Sequence, residues 1–239
     1  MKNLQQLEEQ EERSILTAPL QRRSFLQFAG AGMAGAALLA AGCTKDRGIV
    51  APPSTGATLD FKDDFGVLNY AYALEQLEAA FYIQVASAPP AAFTQAEKAY
   101  FQDIQFHEIA HREFFKKALG SAAIGSLEVN FSSINFSDKA SVLGAAKAFE
   151  DLGVAAYNGA GVRIKDVNYL LLAGKIVSVE ARHAAYIRDL ISAGSFANLN
   201  ELTGSGASVS GALDASLTPD KVLPIAATFI KTKINVINL

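Results

Sequence analysis

The chain has 239 residues, half of them hydrophobic and 19% charged, with a formal net charge of −3 and a pI near 5.7. That is long and apolar enough for one well-buried domain and excludes a chain disordered by composition. The acidic balance, without any run rich in Lys and Arg, argues against nucleic acid as a partner.

Residues 1–43 follow the grammar of an export signal and stand apart from the fold. In "QRRSFLQF" the twin arginines Arg22 and Arg23 precede Phe25 and Leu26, and the apolar run "FAGAGMAGAALLAAG" follows. This order resembles a twin-arginine translocation signal. Its end, "LLAAGC", resembles a lipoprotein cleavage box, which implies lipidation of Cys43. Ala40 stands where such boxes usually carry leucine, so a retained anchor or ordinary cleavage nearby stays open. The run is shorter than the roughly 20 residues that span a bilayer. The expected location is therefore the periplasm or cell envelope, with the membrane reached only through a lipid anchor. Cys43 is the only cysteine, so there is no disulfide framework.

Residues 44–62 carry Pro52, Pro53, Ser54, Thr55 and Gly56 without sustained periodicity and read as a linker. Helical patterning starts at Asp63, and "DDFGVLNYAYALEQLEAAFYIQVAS" repeats apolar residues at three- and four-residue spacing until Ala88–Pro90 stops it. Thr94 and Glu97 form a capping box for a second helix that runs to Gly120, with Lys116 and Lys117 in its last turn. Residues 121–136 lose the helical stripe, and their length suits a crossover along the outside of a bundle. Ser137 or Asp138 caps a third helix through Ala160, and Asp166 opens a fourth that Gly194 closes. From Ser195 to Ser216 the chain is a Gly/Ser/Asn-rich loop. Thr218 and Pro219 then start a short helix, interrupted or bent near Pro224. No strand pattern competes.

Two of the three histidines lie in "FHEIAHREFF", where Glu108 precedes His111 by three, and "VEARHAAY" repeats the arrangement with Glu180 and His183. Residues three apart on a helix differ by about 60° in direction and about 4.5 Å in height, so each pair can converge on one ion. Two such pairs among three histidines is roughly a one-per-cent accident on independent placement. The other two helices also match each other: "EQLEAAFY" from Glu75 and "EDLGVAAY" from Glu150 share Glu, Leu and Tyr at the same spacings. Tyr82 and Tyr157 thus lie about two turns beyond Glu75 and Glu150 on the same helical face. Glu78 rivals Glu75, but its counterpart in the second half is Gly153, which favours Glu75. His107 lies about 100° round the helix from Glu108 and reads as a rim residue whose loss leaves the site occupied.

The chain is therefore an internal duplication of helix pairs, with one Glu on two helices and Glu-x-x-His on the other two. That is the ligand set of the dimetal carboxylate bundles. Residues 63–193 resemble the ferritin-like superfamily, and "LEQLEAAFY" with "FEDLGVAAY" is similar to its secreted branch of ferritin-like or desiccation-related proteins. "LTPDKVLPIAATFI" is loosely similar to a segment that follows the bundle in that branch. The resemblance implies an all-α, ferritin-like four-helix bundle with a long crossover between its second and third helices and a short C-terminal helical extension over residues 194–239. It implies that Glu75, Glu108 and His111 hold one metal and Glu150, Glu180 and His183 the other, with Glu108 and Glu180 bridging. Carboxylates and imidazoles suit Fe or Mn, so two Fe or two Mn ions per chain are expected.

Such a site takes O2, peroxide or Fe(II) as small-molecule substrates, in a ferroxidase-, peroxidase- or catalase-like oxidoreductase. Tyr82 and Tyr157 either hydrogen-bond the ligand carboxylates, carry an oxidising equivalent, or pack as core aromatics with satisfied hydroxyls. A second class stays open: a metal-independent envelope stress or scaffold protein that uses the bundle for interactions. The sequence leaves the oligomeric state open, a homodimer among the options.

Overall fold

The computed structural model describes residues 56–197 and 213–239. The export signal, with Arg22, Arg23 and Cys43, lies outside the described residues, as does most of the Gly/Ser-rich loop. Strand β1 (Ala57–Asp60) leads into helices α1 (Asp64–Ser87), α2 (Gln95–Leu119), α3 (Lys139–Gly161) and α4 (Val167–Ile191). A short helix α5 (Pro219–Ala226) and strand β2 (Ile234–Ile237) complete the chain.

The helix starts obey their local chemistry. Asp63 accepts from Phe65 N–H, Asp138 from Ala140 and Ser141, and Asp166 from Asn168, each satisfying amides that the first turn leaves without partners. Thr94 and Glu97 close a reciprocal capping box on α2. Helix α5 starts with Pro219 behind Thr218, and Pro224 sits inside it before the chain tightens into a 3-10 turn at Ala227–Phe229. Among the described residues, no helix is long and apolar enough to cross a membrane.

Helix α1 is buried nearly all round because it packs on α2, α3 and β1 at once. Its polar residues are used rather than hidden. Asn69 and Gln76, two turns apart, bond the crossover backbone: Ile124 N–H donates to Asn69 at 2.8 Å and Leu127 N–H to Gln76 at 2.8 Å, while the Asn69 amide donates to Ala122 C=O at 2.9 Å. These bonds tie the start of the crossover to α1. Phe81 forms edge-on or tilted contacts with Phe131 and Phe136 of the crossover and Phe149 of α3, joining three segments in one core.

The expectation of no strands, and of a linker through residue 62, needs correction. β1 pairs in parallel with β2, Ala57 opposite Ile234 and Asp60 opposite Ile237, and Leu59 is fully buried against the helices. Each strand is only four residues long and its partner lies far away in sequence, so neither carries a recognisable local period. The C-terminal segment is also tied to the bundle at Gly159. A Cβ there would lie 1.8 Å from Leu217 C=O, and Leu217 N–H donates to Ala155 C=O at 2.9 Å.

Candidate metal centre

Glu75 on α1, Glu108 and His111 on α2, Glu150 on α3, and Glu180 and His183 on α4 meet in the middle of the bundle. The four carboxylates are fully buried and His183 nearly so, while His111 is partly buried. Their donor atoms fall into two groups: Glu75, Glu108, Glu180 and His111, and Glu108, Glu150, Glu180 and His183. Glu108 and Glu180 belong to both groups.

His111 Nδ1 lies 2.9 Å from Glu180, 3.5 Å from Glu75 and 3.7 Å from Glu108. His183 Nδ1 lies 3.0 Å from Glu108, 3.3 Å from Glu150 and 3.8 Å from Glu180. In spite of these short separations, both Nδ1 atoms and most of the surrounding carboxylate oxygens lack hydrogen-bond alignment. Within each group the donor atoms all lie within 4.8 Å of one another. Ligands set at right angles about an ion, each roughly 2.1 Å from it, stand about 3 Å apart, so these separations fit donors arranged around metal. The donor set, all oxygen and imidazole nitrogen, fits Fe or Mn.

The electrostatics agree with the geometry. Burial would lower the pKa of His111, but the carboxylates of Glu108, Glu180 and Glu75 override it and push it up to about 12. His183 is likewise pushed up to about 12, against burial, by Glu108, Glu150 and Glu180. Burial raises Glu75 well above the ordinary carboxylate value and Glu150 to about 8. Glu180, which burial alone would raise, is brought down to about 2 by the two imidazoles beside it. Protonated imidazoles thus act as the cations that the carboxylates require.

The two tyrosines cross between the halves. Tyr82 of α1 donates to Glu150 of α3, and Tyr157 of α3 donates to Glu75 of α1. Each hydroxyl therefore serves the opposite half's carboxylate, whereas the sequence placed it on the face of its own helix's Glu. Tyr186 stacks on Tyr100 at 3.9 Å between ring centres, and Arg112 pairs with Glu113 at 2.8 Å, so these residues do not enter the site.

Two residues mean more than their spacing suggested. Glu78 is buried alongside Glu75, and burial together with the charges of Glu180, Glu108, Glu75 and Glu150 holds it well above the carboxylate range. Its space comes from Gly153: a Cβ there would lie 3.0 Å from Glu78 Oε1. The Glu-x-x-Glu in "EQLE" opposite a glycine was the available signal. His107 is exposed, as expected of a rim residue, yet its Nδ1 lies 2.9 Å from His183 Nε2 and the rings stack at 5.2 Å. His107 thus holds the nitrogen of His183 that faces away from the carboxylates, and the expectation that its loss is neutral no longer follows.

No curated protein matches the chain significantly. The ferritin-like domain family matches residues 63–193, more than half of the chain, and the protein belongs to that family.

Proposed function

We propose that the chain binds a dinuclear Fe or Mn centre, two ions per chain, for redox chemistry with O2 or peroxide or for oxidation of Fe(II). The observation that carries this reading is the overlap of the two donor groups at Glu108 and Glu180, each offering one oxygen to each side. Glu75 and His111 would complete one position, and Glu150 and His183 the other. Bound there, a metal pair supplies two-electron exchange with dioxygen or peroxide. Tyr82 and Tyr157 hold the terminal carboxylates in place from behind, and His107 holds the ring of His183. Glu75 and Glu150 are fully buried, away from bulk water.

The export signal and Cys43 support a site of action in the periplasm or on the cell envelope, with a lipid tether as the only membrane contact. Twin-arginine export carries folded proteins, which would let the metal be chosen before export. The sequence likeness to secreted and desiccation-related ferritin-like proteins fits that location.

Elemental analysis by plasma mass spectrometry of protein purified without added metal tests the reading. About two Fe or Mn per chain, falling to about one in Glu150→Ala, is the expected result. Less than about a tenth of a metal per chain, unimproved by anaerobic Fe(II) or Mn(II), would leave a metal-independent scaffold in a folded bundle.

A further inference from the structure

One end of the bundle, where α1 begins and α3 ends, is not fully packed. A cavity of about 20 Å³ lies there, walled by Ala71 and Leu74 of α1, Phe115 of α2, and Ala160 and the ring of Tyr157 from α3. Beside it, between α3 and α4, is a surface depression of about 320 Å³ that shares Tyr157, Gly161 and Ala173 with the inner cavity. The two spaces are neighbours, and both are lined by Tyr157, whose hydroxyl donates to Glu75. One side chain therefore separates the inner cavity from the candidate metal ligands.

The chemistry of the walls selects the occupant. Tyr70, which also lines the inner cavity, has a buried hydroxyl with no hydrogen-bond partner, and the remaining wall is apolar. Ordered water needs two to four polar partners, whereas apolar cavities stay dry and take up xenon or small neutral molecules. A hydrated cation or a peroxide would lose its hydrogen bonds there without replacement. Glycine keeps the outer part open: a Cβ at Gly174 would meet nothing within 4 Å, and one at Gly161 only Leu170, at 3.7 Å.

We infer that these two spaces form a dioxygen route to the metal centre, with the inner cavity as a holding site for one diatomic molecule and Tyr157 as its inner wall. The inference rests on the dimetal reading above and narrows it, because the route admits O2 and not peroxide. Polar reactants then reach the centre from elsewhere, and the exposed His107 edge, in contact with His183, marks a second approach.

The test combines xenon and kinetics on the full chain. Crystals pressurised with xenon show a xenon peak in the cavity of the wild type and none in Ala160→Leu, whose side chain fills it. With Fe(II) loaded anaerobically, the second-order rate constant for O2 falls about tenfold in Ala160→Leu and in Gly174→Leu. Fe(II) stoichiometry stays unchanged, and the rate with hydrogen peroxide stays within about twofold. Gly174→Leu adds its side chain in open space on a helix that favours leucine over glycine, so it retains the fold if the inner variant does not. A wild-type cavity without xenon, unchanged O2 rates in a folded variant, or equal losses with O2 and peroxide would each overturn the route. Wild-type protein that takes up no Fe(II) or Mn(II) would instead sink the dimetal reading, and with it the assignment of the occupant as O2, even with xenon in place.

Discussion

The two halves of the bundle, α1 with α2 and α3 with α4, supply the same donors but different surroundings. Glu75, Glu108 and His111 match Glu150, Glu180 and His183, and the tyrosines exchange across the pair. Around them the symmetry ends: Glu78 faces Gly153, and His107 corresponds to Val179. Duplicated donors make two equivalent positions, and unequal neighbours make those positions chemically distinct. Loss of a shared carboxylate should do the most damage. Glu108→Ala and Glu180→Ala should each remove most of the metal from both positions, because each carboxylate serves both groups. Glu75→Ala or Glu150→Ala should remove about one ion of two, as measured by metal per chain. Equal loss in all four variants would mean that the positions are not separable.

The tyrosine exchange gives the next effect. Tyr82→Phe and Tyr157→Phe each leave a buried carboxylate oxygen without its donor, which costs about 1–3 kcal/mol. Denaturant unfolding of the metal-loaded protein should show both losses at similar size, with the double variant close to their sum if the two halves act independently. A large loss for Tyr82 and none for Tyr157 would show that the symmetry is only one of sequence.

Much of this arrangement was legible because it is local. The Thr94–Glu97 box and the Asp138 and Asp166 caps are encoded within one turn, and the helices they start carry the Glu-x-x-His pairs in a fixed register. What escaped was contact between distant segments. The β1–β2 pair joins residues near the two ends of the described domain, and four residues of alternation cannot announce a partner so far away. The bond from His107 to His183 crosses from α2 to α4, and helical angle alone places His107 off the face of Glu108 without saying what stands opposite. Glu78 was visible, and so was Gly153. Only the packing shows that the glycine's missing side chain is the space the fifth carboxylate occupies.

His107 lies outside the donor set and touches one of its two histidines. Because it holds Nε2 of His183, while its counterpart in the second half is Val179, which has no polar side-chain atom, its loss should act on one metal position only. His107→Ala is expected to weaken one of the two ions about tenfold in anaerobic Fe(II) or Co(II) titrations, the lower end of what such outer partners contribute. Val179→Ala should change neither affinity. Equal weakening of both ions by His107→Ala would mean that the ring steadies the whole α2–α4 contact rather than one ligand.

Protons should act more weakly, with a sign set by the direction in which each group is shifted. In metal-free protein Glu75 and Glu78 are held well above their ordinary value of 4.5, and Glu150 at about 8, so the native chain retains protons that the unfolded chain releases near pH 4.5. His111 and His183, raised from 6.5 to about 12, add stability that is complete below 6.5 and is lost progressively above it. Glu180 works in the other direction, but its contribution is lost only as pH falls from 4.5 towards 2. Between about pH 5 and 8 the native state therefore binds more protons than the unfolded one, and metal-free stability falls as pH rises. Chelator-treated protein should melt roughly 5 °C lower at pH 8 than at pH 5.5, the effect of about 2 kcal/mol in a chain of this size. Glu78→Gln, which removes the one unmatched carboxylate, should flatten that slope. Metal loading should reverse it, since metal displaces the same protons and binds more tightly as pH rises. A metal-free melting temperature that climbs with pH over this window would show that the carboxylates are ionised without any cation beside them, contrary to the burial that Gly153 allows Glu78.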